Sequence, residues 1–289
     1  MKLRAAMIKL HAKLFGAVRA VSDRAFIRGA YFLSFGSLPN LQNPQTFNEH
    51  ICAIKCDDAS LALAPYADKA AVRDYVRRAV GEKYLIAALG VYDAPQQIPY
   101  DTLPARFVIK CTHASGYNIL VKDKRKLDIP EANRRLTRWL SRNYYTVGRE
   151  KNYKEIPPRL LVETYLDASE TLPEYKIFCF HGKPKIIDVN CTKKGKRMTS
   201  LYDTDWNFVP VRLGYPNAGD AFAPPKALAE LLELAQTLAA PFAFVRVDLY
   251  AAKEGIFFSE LTFTSGGGLV PFDPPEYDAR FGAFFEETQ

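Results

Sequence analysis

Residues 244–268 read FVRVDLYAAKEGIFFSELTFTSGGG. Two apolar runs are joined by AAKEG, a link of hairpin length, and the pattern predicts two adjacent antiparallel strands. Successive side chains in a strand alternate faces. Phe244, Arg246, Asp248 and Tyr250 therefore share one face of the first strand, and Phe258, Glu260 and Thr262 one face of the second. A simple hairpin brings Asp248 and Glu260 opposite or diagonal to each other, with Arg246 beside them. Two close carboxylates repel unless a cation neutralises them, and hard oxygen ligands of this kind suit Mg²⁺ completed by phosphate oxygens and water. An arginine on the same face can hold a phosphate or steady charge that develops on it. A plain surface salt bridge between Arg246 and one acid is the competing reading. The run Ser265-Gly266-Gly267-Gly268 reads as a loop whose backbone N–H groups admit a carboxylate or acyl phosphate, or else as a turn.

Upstream, RFVIKCTHASGYNILVKD (106–123) reads as strand, small polar turn, strand. Lys110 ends the first of these strands ahead of a loop of small residues, which suits a phosphate held by an ammonium and backbone N–H groups; a solvated hairpin tip fits equally. Neither GxxxxGK[ST] nor a GxGxxG after a strand occurs. Helices are expected over PYADKAAVRDYVRRAVG (65–81) with Asp68 as N-cap and Gly81 as stop, over EANRRLTRWLSRNYY (131–145), and over PPKALAELLELAQTLAAP (224–241). From Arg159 on, short β-rich runs follow one another. Strand pairs mixed with helices, without strict βαβ alternation, predict an α+β protein with antiparallel sheets.

The 289 residues, 48% hydrophobic and 25% charged, bury a sizeable core and suggest two or three subdomains of one unit. A net charge of +7 favours anionic partners such as nucleotides, acidic polysaccharides, nucleic acid or a membrane surface. No RNP, zinc-finger or helix-turn-helix signature supports nucleic acid. Five cysteines without regular spacing suggest reduced thiols and a cytoplasmic setting. His50, Cys52 and Cys56 lack a fourth ligand for zinc. Residues 1–21 alternate Lys2, Arg4, Lys9, Lys13 and Arg19 with Leu3, Met7, Leu10, Leu14 and Val18 at helical spacing. The helix is expected to pack on its own domain with a solvated basic face, and a peripheral contact with the inner face of a membrane is the alternative.

The ordered set of motifs resembles the ATP-grasp fold. It has a lysine in a DK pair (Asp68-Lys69), a second lysine (Lys110) before a lid loop holding His113, Ser115 and Gly116, a hinge strand LVETYL with Glu163 and Leu166, and an acid, Glu174, in EYK. More narrowly, QTFNEHI, LIAALGVYD, FVIKCTHASGYNI, GREKNYKEIPPRLLVETYL, EYKIFCFHGKPK, LYDTDWN and FVRVDLY…ELTFTSGGG resemble, in order, the TupA-like ATP-grasp family of teichuronopeptide biosynthesis, from about Pro44 to the C-terminus.

The resemblance implies two α+β subdomains with antiparallel sheets gripping ATP, preceded by a helical region. They divide as residues 1–65, a lid-bearing 66–160, and 161–289 with the hinge strand and metal site. It implies an ADP-forming amide ligase that uses ATP and Mg²⁺ to join an amino acid or amine to a carboxylate, such as an acidic glycan's uronic acid or its precursor in a bacterial capsule, LPS or teichuronic polymer. Lys69, Lys110, His113, Ser115, Gly116, Glu163, Leu166 and Glu174 would bind ATP. Asp248, Glu260 and Thr262 would hold the metal, Arg246 and Lys176 would act in catalysis, and Ser265, Gly266 and Gly267 would receive substrate. Thr262 stands where ATP-grasp enzymes carry Asn, a weaker ligand, and Lys193, Lys194, Lys196 and Arg197 would make a basic mouth. A glycosyltransferase using Asp203-Thr204-Asp205 is the alternative enzyme, and a non-catalytic glycan- or nucleotide-binding module the alternative outside catalysis.

Overall fold

The computed structural model describes residues 2–287 except 19, 167–171, 194–195 and 221. Three helices lead the chain: α1 (Lys2–Phe15), α2 (Asp23–Phe35) and α3 (Phe47–Cys56). Their ends follow from local chemistry. Ser22 accepts from the Ala25 N–H to start α2, and Gly36, at φ 80°, closes it. Thr46 and Glu49 form a reciprocal capping box on α3.

The single helix expected over 65–81 is instead two, α4 (Ala64–Ala67) and α5 (Val72–Ala79). Asp68 sits between them in extended conformation, and its Oδ1 accepts from the N–H groups of Ala70 and Ala71. The side chain competes with the helical ladder for those donors. The break turns Lys69 out of the helix, where its Nζ donates to the Ala114 carbonyl at 2.8 Å.

A four-stranded antiparallel sheet follows, with β1 (Ala88–Tyr92), β2 (Phe107–Cys111), β3 (Asn118–Val121) and β4 (Leu160–Thr164) in spatial order β1-β4-β2-β3. Phe107, Ile109, Cys111, Leu160 and Val162 point from it onto Leu136 of α6 (Ile129–Leu140). The expected helix stops at Leu140, and a separate turn, α7 (Tyr145–Gly148), follows. The hinge strand β4, drawn by sequence into the C-terminal region, pairs with β1 and β2 of this first sheet.

The larger sheet is six-stranded and antiparallel. It uses β5 (Glu174–Phe180), β6 (Lys183–Lys193), β7 (Lys196–Asp203), β8 (Phe208–Val209), β10 (Phe244–Ala252) and β11 (Gly255–Thr262) in the order β11-β10-β5-β6-β7-β8. A two-stranded ribbon, β9 (Arg212–Leu213) with β12 (Phe272–Asp273), lies outside it. Helix α8 (Leu228–Ala239) buries Leu231, Leu234, Ala235 and Leu238 with Ile177, Val189, Val247 and Leu249 of the sheet. Near one end of the sheet, Phe47 of α3 and Phe281 of α9 (Glu276–Ala283) join Phe178, Phe180, Phe244 and Phe272 in an aromatic cluster. Each such ring contributes on the order of 2 to 3 kcal/mol by burial. The expected α+β class with antiparallel sheets is met.

The hairpin β10–β11 is not simple. Ala252 pairs with Gly255 and Leu249 with Phe258, but Asp248 pairs with Glu260. Ser259 is therefore the extra residue of a β-bulge. It corrects the expected alternation: Phe258 lies in the core beside Leu249, while Glu260 faces the other way, with Asp248.

The remaining sequence expectations divide. Cys52, Cys56, Cys111 and Cys179 are free thiols, and burial pushes those of Cys52 and Cys111 up to about 12. Among the described residues no group of three His, Cys, Asp or Glu side chains is placed to hold a metal. His50 instead stacks on Phe285 at 4.1 Å. Helix α1 packs His11 against Phe26, yet Met7, Leu10 and Leu14 remain 42%, 54% and 54% exposed. The helix thus packs on α2 and α7 as expected, with its apolar stripe only partly covered. No helix among the described residues is long and apolar enough to cross a membrane.

Candidate active site

Two cavities draw lining residues from the β10–β11 hairpin, Tyr250 in one and Arg246, Glu260 and Thr262 in the other. The first, a cleft of about 600 Å³, is lined by Ile86, Val108 and Leu166 on its apolar side and by Lys110, Glu163 and Glu174 among its polar groups. A cleft of this size with few convergent polar groups suits a nucleotide. The second, about 350 Å³, is lined by Ser115, Glu150, Arg246, Glu260, Thr262 and Gly267 and is bordered by Ile8 and Lys9 of α1.

Between them runs a chain of alternating charge on one face of the large sheet. Glu174 lies 3.1 Å from Lys176 Nζ, which lies 2.6 Å from Asp248 Oδ2. Arg246 grips the same carboxylate with Nε on Oδ1 at 2.6 Å and Nη2 on Oδ2 at 2.7 Å. Its Nη2 reaches Glu260 Oε1 at 3.4 Å, and Glu260 Oε2 stands 3.6 Å from Lys69 Nζ. Cross-strand register sets this order, because Lys176 of β5 and Glu260 of β11 flank Asp248 of β10 on either side. The Arg246–Asp248 salt bridge offered as the bland reading exists, but as one link of this chain.

The charges hold one another. Burial alone would raise the Glu260 carboxyl, yet Lys69, Arg246 and Lys176 bring it down to about 2. Burial opposes charge on Lys176 and on Arg246 as well, and the carboxylates of Asp248, Glu174 and Glu260 together outweigh it, so both stay above their ordinary values. Glu260, Lys176 and Arg246 are thus held in their charged forms at neutral pH.

A divalent cation fits this pair of acids. Asp248 and Glu260 face each other on neighbouring strands, and one or two carboxylates suffice for Mg²⁺ when phosphate oxygens and waters complete its shell. Lys176 and Arg246 occupy the Asp248 oxygens in this structure, so their ammonium and guanidinium stand in for that positive charge. Thr262 is spent differently: its hydroxyl donates to Glu260 Oε1 at 2.9 Å and accepts from Arg246 Nη2 at 3.0 Å.

The other sequence-predicted residues take varied places. Lys110 Nζ lies 2.6 Å from Glu163, whose second oxygen accepts from Arg73 at 2.9 Å. The buried Glu163 carboxylate thereby orients Lys110 at the wall of the first cleft. Gly116, at φ 74°, turns the loop between β2 and β3, and Ser115 borders the second cavity. His113 is turned away: it is 1% exposed, its Nε2 meets the Trp139 carbonyl at 3.2 Å, and burial lowers its pKa, so it supports the loop from behind. Ser265 accepts from Arg246 Nη1 at 3.0 Å. Gly266 and Gly267 have φ of 60° and 63°, conformations that side chains other than glycine rarely adopt, and the Gly267 carbonyl accepts from the buried Lys55 at 2.9 Å.

Of the basic mouth, Arg197 donates to Asn190 at 2.8 Å, Lys194 lies outside the described residues, and the side chains of Lys193 and Lys196 do as well. Asp203 closes its own turn, accepting from the N–H groups of Asp205 and Asn207 at 3.0 and 2.7 Å, so the acid pair of the glycosyltransferase reading is a turn motif. Sequence reasoning missed Arg73, Lys55, Glu150 and Asp188. The signal for the last was present: Asp188 and Asn190 share a face of an otherwise apolar strand.

The TupA-like ATP-grasp family model matches residues 49–286. The chain belongs to that family. No curated protein matches. Among solved structures, the chain is similar to a RimK domain protein ATP-grasp from Sphaerobacter thermophilus DSM 20745 at 13% identity and TM-score 0.44, covering 79% of this chain and 70% of that one. It is similar to the D-alanine-D-alanine ligase of Helicobacter pylori at 14% identity and TM-score 0.41, covering 78% and 61%. The N5-carboxyaminoimidazole synthase of Aspergillus clavatus follows at 12% identity and TM-score 0.39, covering 69% and 44%. The chain thus spans from under half to seven tenths of these proteins' lengths. With likeness this low, the TupA-like ATP-grasp assignment rests on the family match.

Proposed function

We propose that this TupA-like ATP-grasp protein is an ADP-forming carboxylate–amine ligase that works through an acyl phosphate. Its carboxylate is a uronic acid of a bacterial surface polysaccharide or precursor, and its amine an amino acid or related compound. The observation that carries the reading is the alternating charge chain from Glu174 to Lys69, which joins a nucleotide-sized cleft to a second cavity. A carboxylate oxygen of the substrate attacks the γ-phosphorus and ADP leaves; the amine nitrogen then attacks the acyl carbon and phosphate leaves. Lys110 and Lys69 attract the phosphates, and Arg246 steadies charge on the transferring group, so catalysis is mostly positioning and electrostatics. Mg²⁺ on Asp248 and Glu260, when bound, neutralises phosphate oxygens. No side-chain nucleophile is needed.

Release of ADP from ATP and Mg²⁺, with pooled amino acids and galacturonic oligosaccharides, tests this against Glu260→Gln. ADP only with both pools and only in wild type supports a ligase; ADP without either pool, or undiminished in the variant, overturns it. The exposed Met7, Leu10 and Leu14 beside Lys9 and Lys13 further support a resting place for α1 on an anionic bilayer at the cytoplasmic side.

A further inference from the structure

The second cavity holds a carboxylate that the charge chain does not use. Glu150 lines it, and its Oε2 accepts from the Thr264 hydroxyl. Among the described residues Glu150 forms no ion pair. The acids of the chain all do: Glu174 with Lys176, Asp248 with Lys176 and Arg246, and Glu260 with Arg246 and Lys69. Lys55 acts on Glu150 through its charge, but its ammonium is bonded to the Gly267 carbonyl at 2.9 Å. A carboxylate facing a cavity beside Glu260 and Arg246, with one hydroxyl as its partner, is a place for an incoming cation.

The backbone aims it there. Arg149, next in the chain, has a left-handed φ of 53° and is buried. Its guanidinium clamps Asp23 at 2.7 Å and the carbonyls of Phe15 and Val18 at 3.2 and 2.9 Å. A sparsely populated conformation persists where surrounding contacts over-determine it, and such residues gather at functional sites. Gly148 clears the space on the other side: a Cβ there would meet Glu150 Oε1 at 2.6 Å.

We propose that Glu150 receives the ammonium group of the nucleophilic substrate in this cavity and takes its proton as the amide forms. The inference rests on the ligase reading. The ammonium gives one proton to the Glu150 carboxylate, which frees the nitrogen lone pair. That pair forms the C–N bond at the acyl carbon, the C–O bond to phosphate breaks, and its electron pair leaves on the phosphate, which collects the second nitrogen proton. Burial raises the Glu150 carboxyl above its ordinary value, against the pull of Lys55 and Thr264, which makes it a stronger base than an exposed carboxylate. The charged and titratable groups facing it are Lys55 of α3, Lys9 of α1, Glu260 of β11, Arg246 of β10, and Tyr144 and Tyr153. Lys9 and Lys55 give the cavity a positive side, which favours a nucleophile that carries its own carboxylate, an α-amino acid.

The test compares two nucleophiles with the galacturonic oligosaccharide pool and ATP: the pooled amino acids, which are ammonium ions at neutral pH, and hydroxylamine, which is largely unprotonated and needs no base. In Glu150→Gln, ADP release with amino acids falls by about 10²-fold or more, within the range of a lost general base, while the hydroxylamine reaction falls far less. The amino-acid rate of the variant recovers as pH rises and free amine accumulates. Equal losses with both nucleophiles, or no loss with either, overturn the role of Glu150 while the ligase reading stands. Wild type inert with both nucleophiles overturns the ligase reading and this inference with it. Glu150→Asp, which keeps the carboxylate, separates a proton-accepting role from packing: partial recovery of the amino-acid rate supports the role, and a loss equal to that of Glu150→Gln counts against it.

Discussion

Replacing Asp188 by Asn is expected to make the protein more stable at neutral pH. Asp188 sits in β6 opposite Lys176, is 6% exposed, and has an Oδ1 without a hydrogen-bond partner. Burial raises its carboxyl from 3.8 to about 6, with Asn190, Lys176 and Arg246 offsetting only part of the desolvation. The folded state therefore binds this proton more tightly than the unfolded chain. As pH rises from the ordinary aspartate range to about 6, the unfolded chain ionises freely and the folded one does not, so stability falls across that window and is level above it. The shift, from 3.8 to about 6, is about two pKa units, or about 3 kcal/mol. Asn fills the same volume and carries no charge. Urea unfolding at pH 7.5 would show Asp188→Asn more stable than wild type by up to this amount, and the difference would shrink toward zero near pH 4. An equal difference at both pH values would refute the reasoning, since no proton linkage would then separate the two proteins. A stability gain joined to slower turnover would mark Asp188 as an acid retained for its effect on Lys176.

Glu260 behaves in the opposite sense. Its folded value of about 2 lies below the ordinary 4.5, so it contributes stability that is complete above the ordinary range and lost as pH falls toward 2; acid unfolding followed by circular dichroism should show a shallower acid limb in Glu260→Gln. Deleting Ser259 removes the bulge and turns Glu260 toward the core, where an unpaired charge costs several kcal/mol; guanidinium unfolding should register that loss, whereas Ser259→Ala should keep near wild-type stability. Leu10→Glu with Leu14→Glu should abolish sedimentation with phosphatidylglycerol vesicles and leave the thermal midpoint unchanged, because both side chains are more than half exposed; equal sedimentation of the double variant would dismiss α1 as the contact.

Much of the molecule was legible in the chain because the relevant physics is local. Strand alternation and helical spacing located the elements around Lys110, Glu163 and Asp248. Residue chemistry alone picked out Arg246, Asp248 and Glu260, since an arginine and two acids in apolar strands have few structural uses. Where a side chain competes with the backbone, the reading failed: Asp68 broke a helix whose periodicity looked continuous. It also failed where partners came from distant segments. His113 stands in a loop of site-like composition, but the Trp139 carbonyl of a later helix takes its ring. Glu150 and Lys55, nearly a hundred residues apart, border one cavity only after folding.

The sequence by itself determined the family, the antiparallel α+β architecture and the residue types of the charge chain, because composition, period and motif order are properties of the chain alone. The tertiary structure decided which way those residues face. A bulge-free hairpin closed at Ala252 and Gly255 would set Asp248 opposite Ser259 and send Glu260 to the other side of the sheet. One extra residue reverses that, because the side-chain period of a strand is two and a shift of one exchanges its faces. That shift is supported by contacts remote in sequence, with Phe258 bridged to Leu85 and Glu260 held by Lys69.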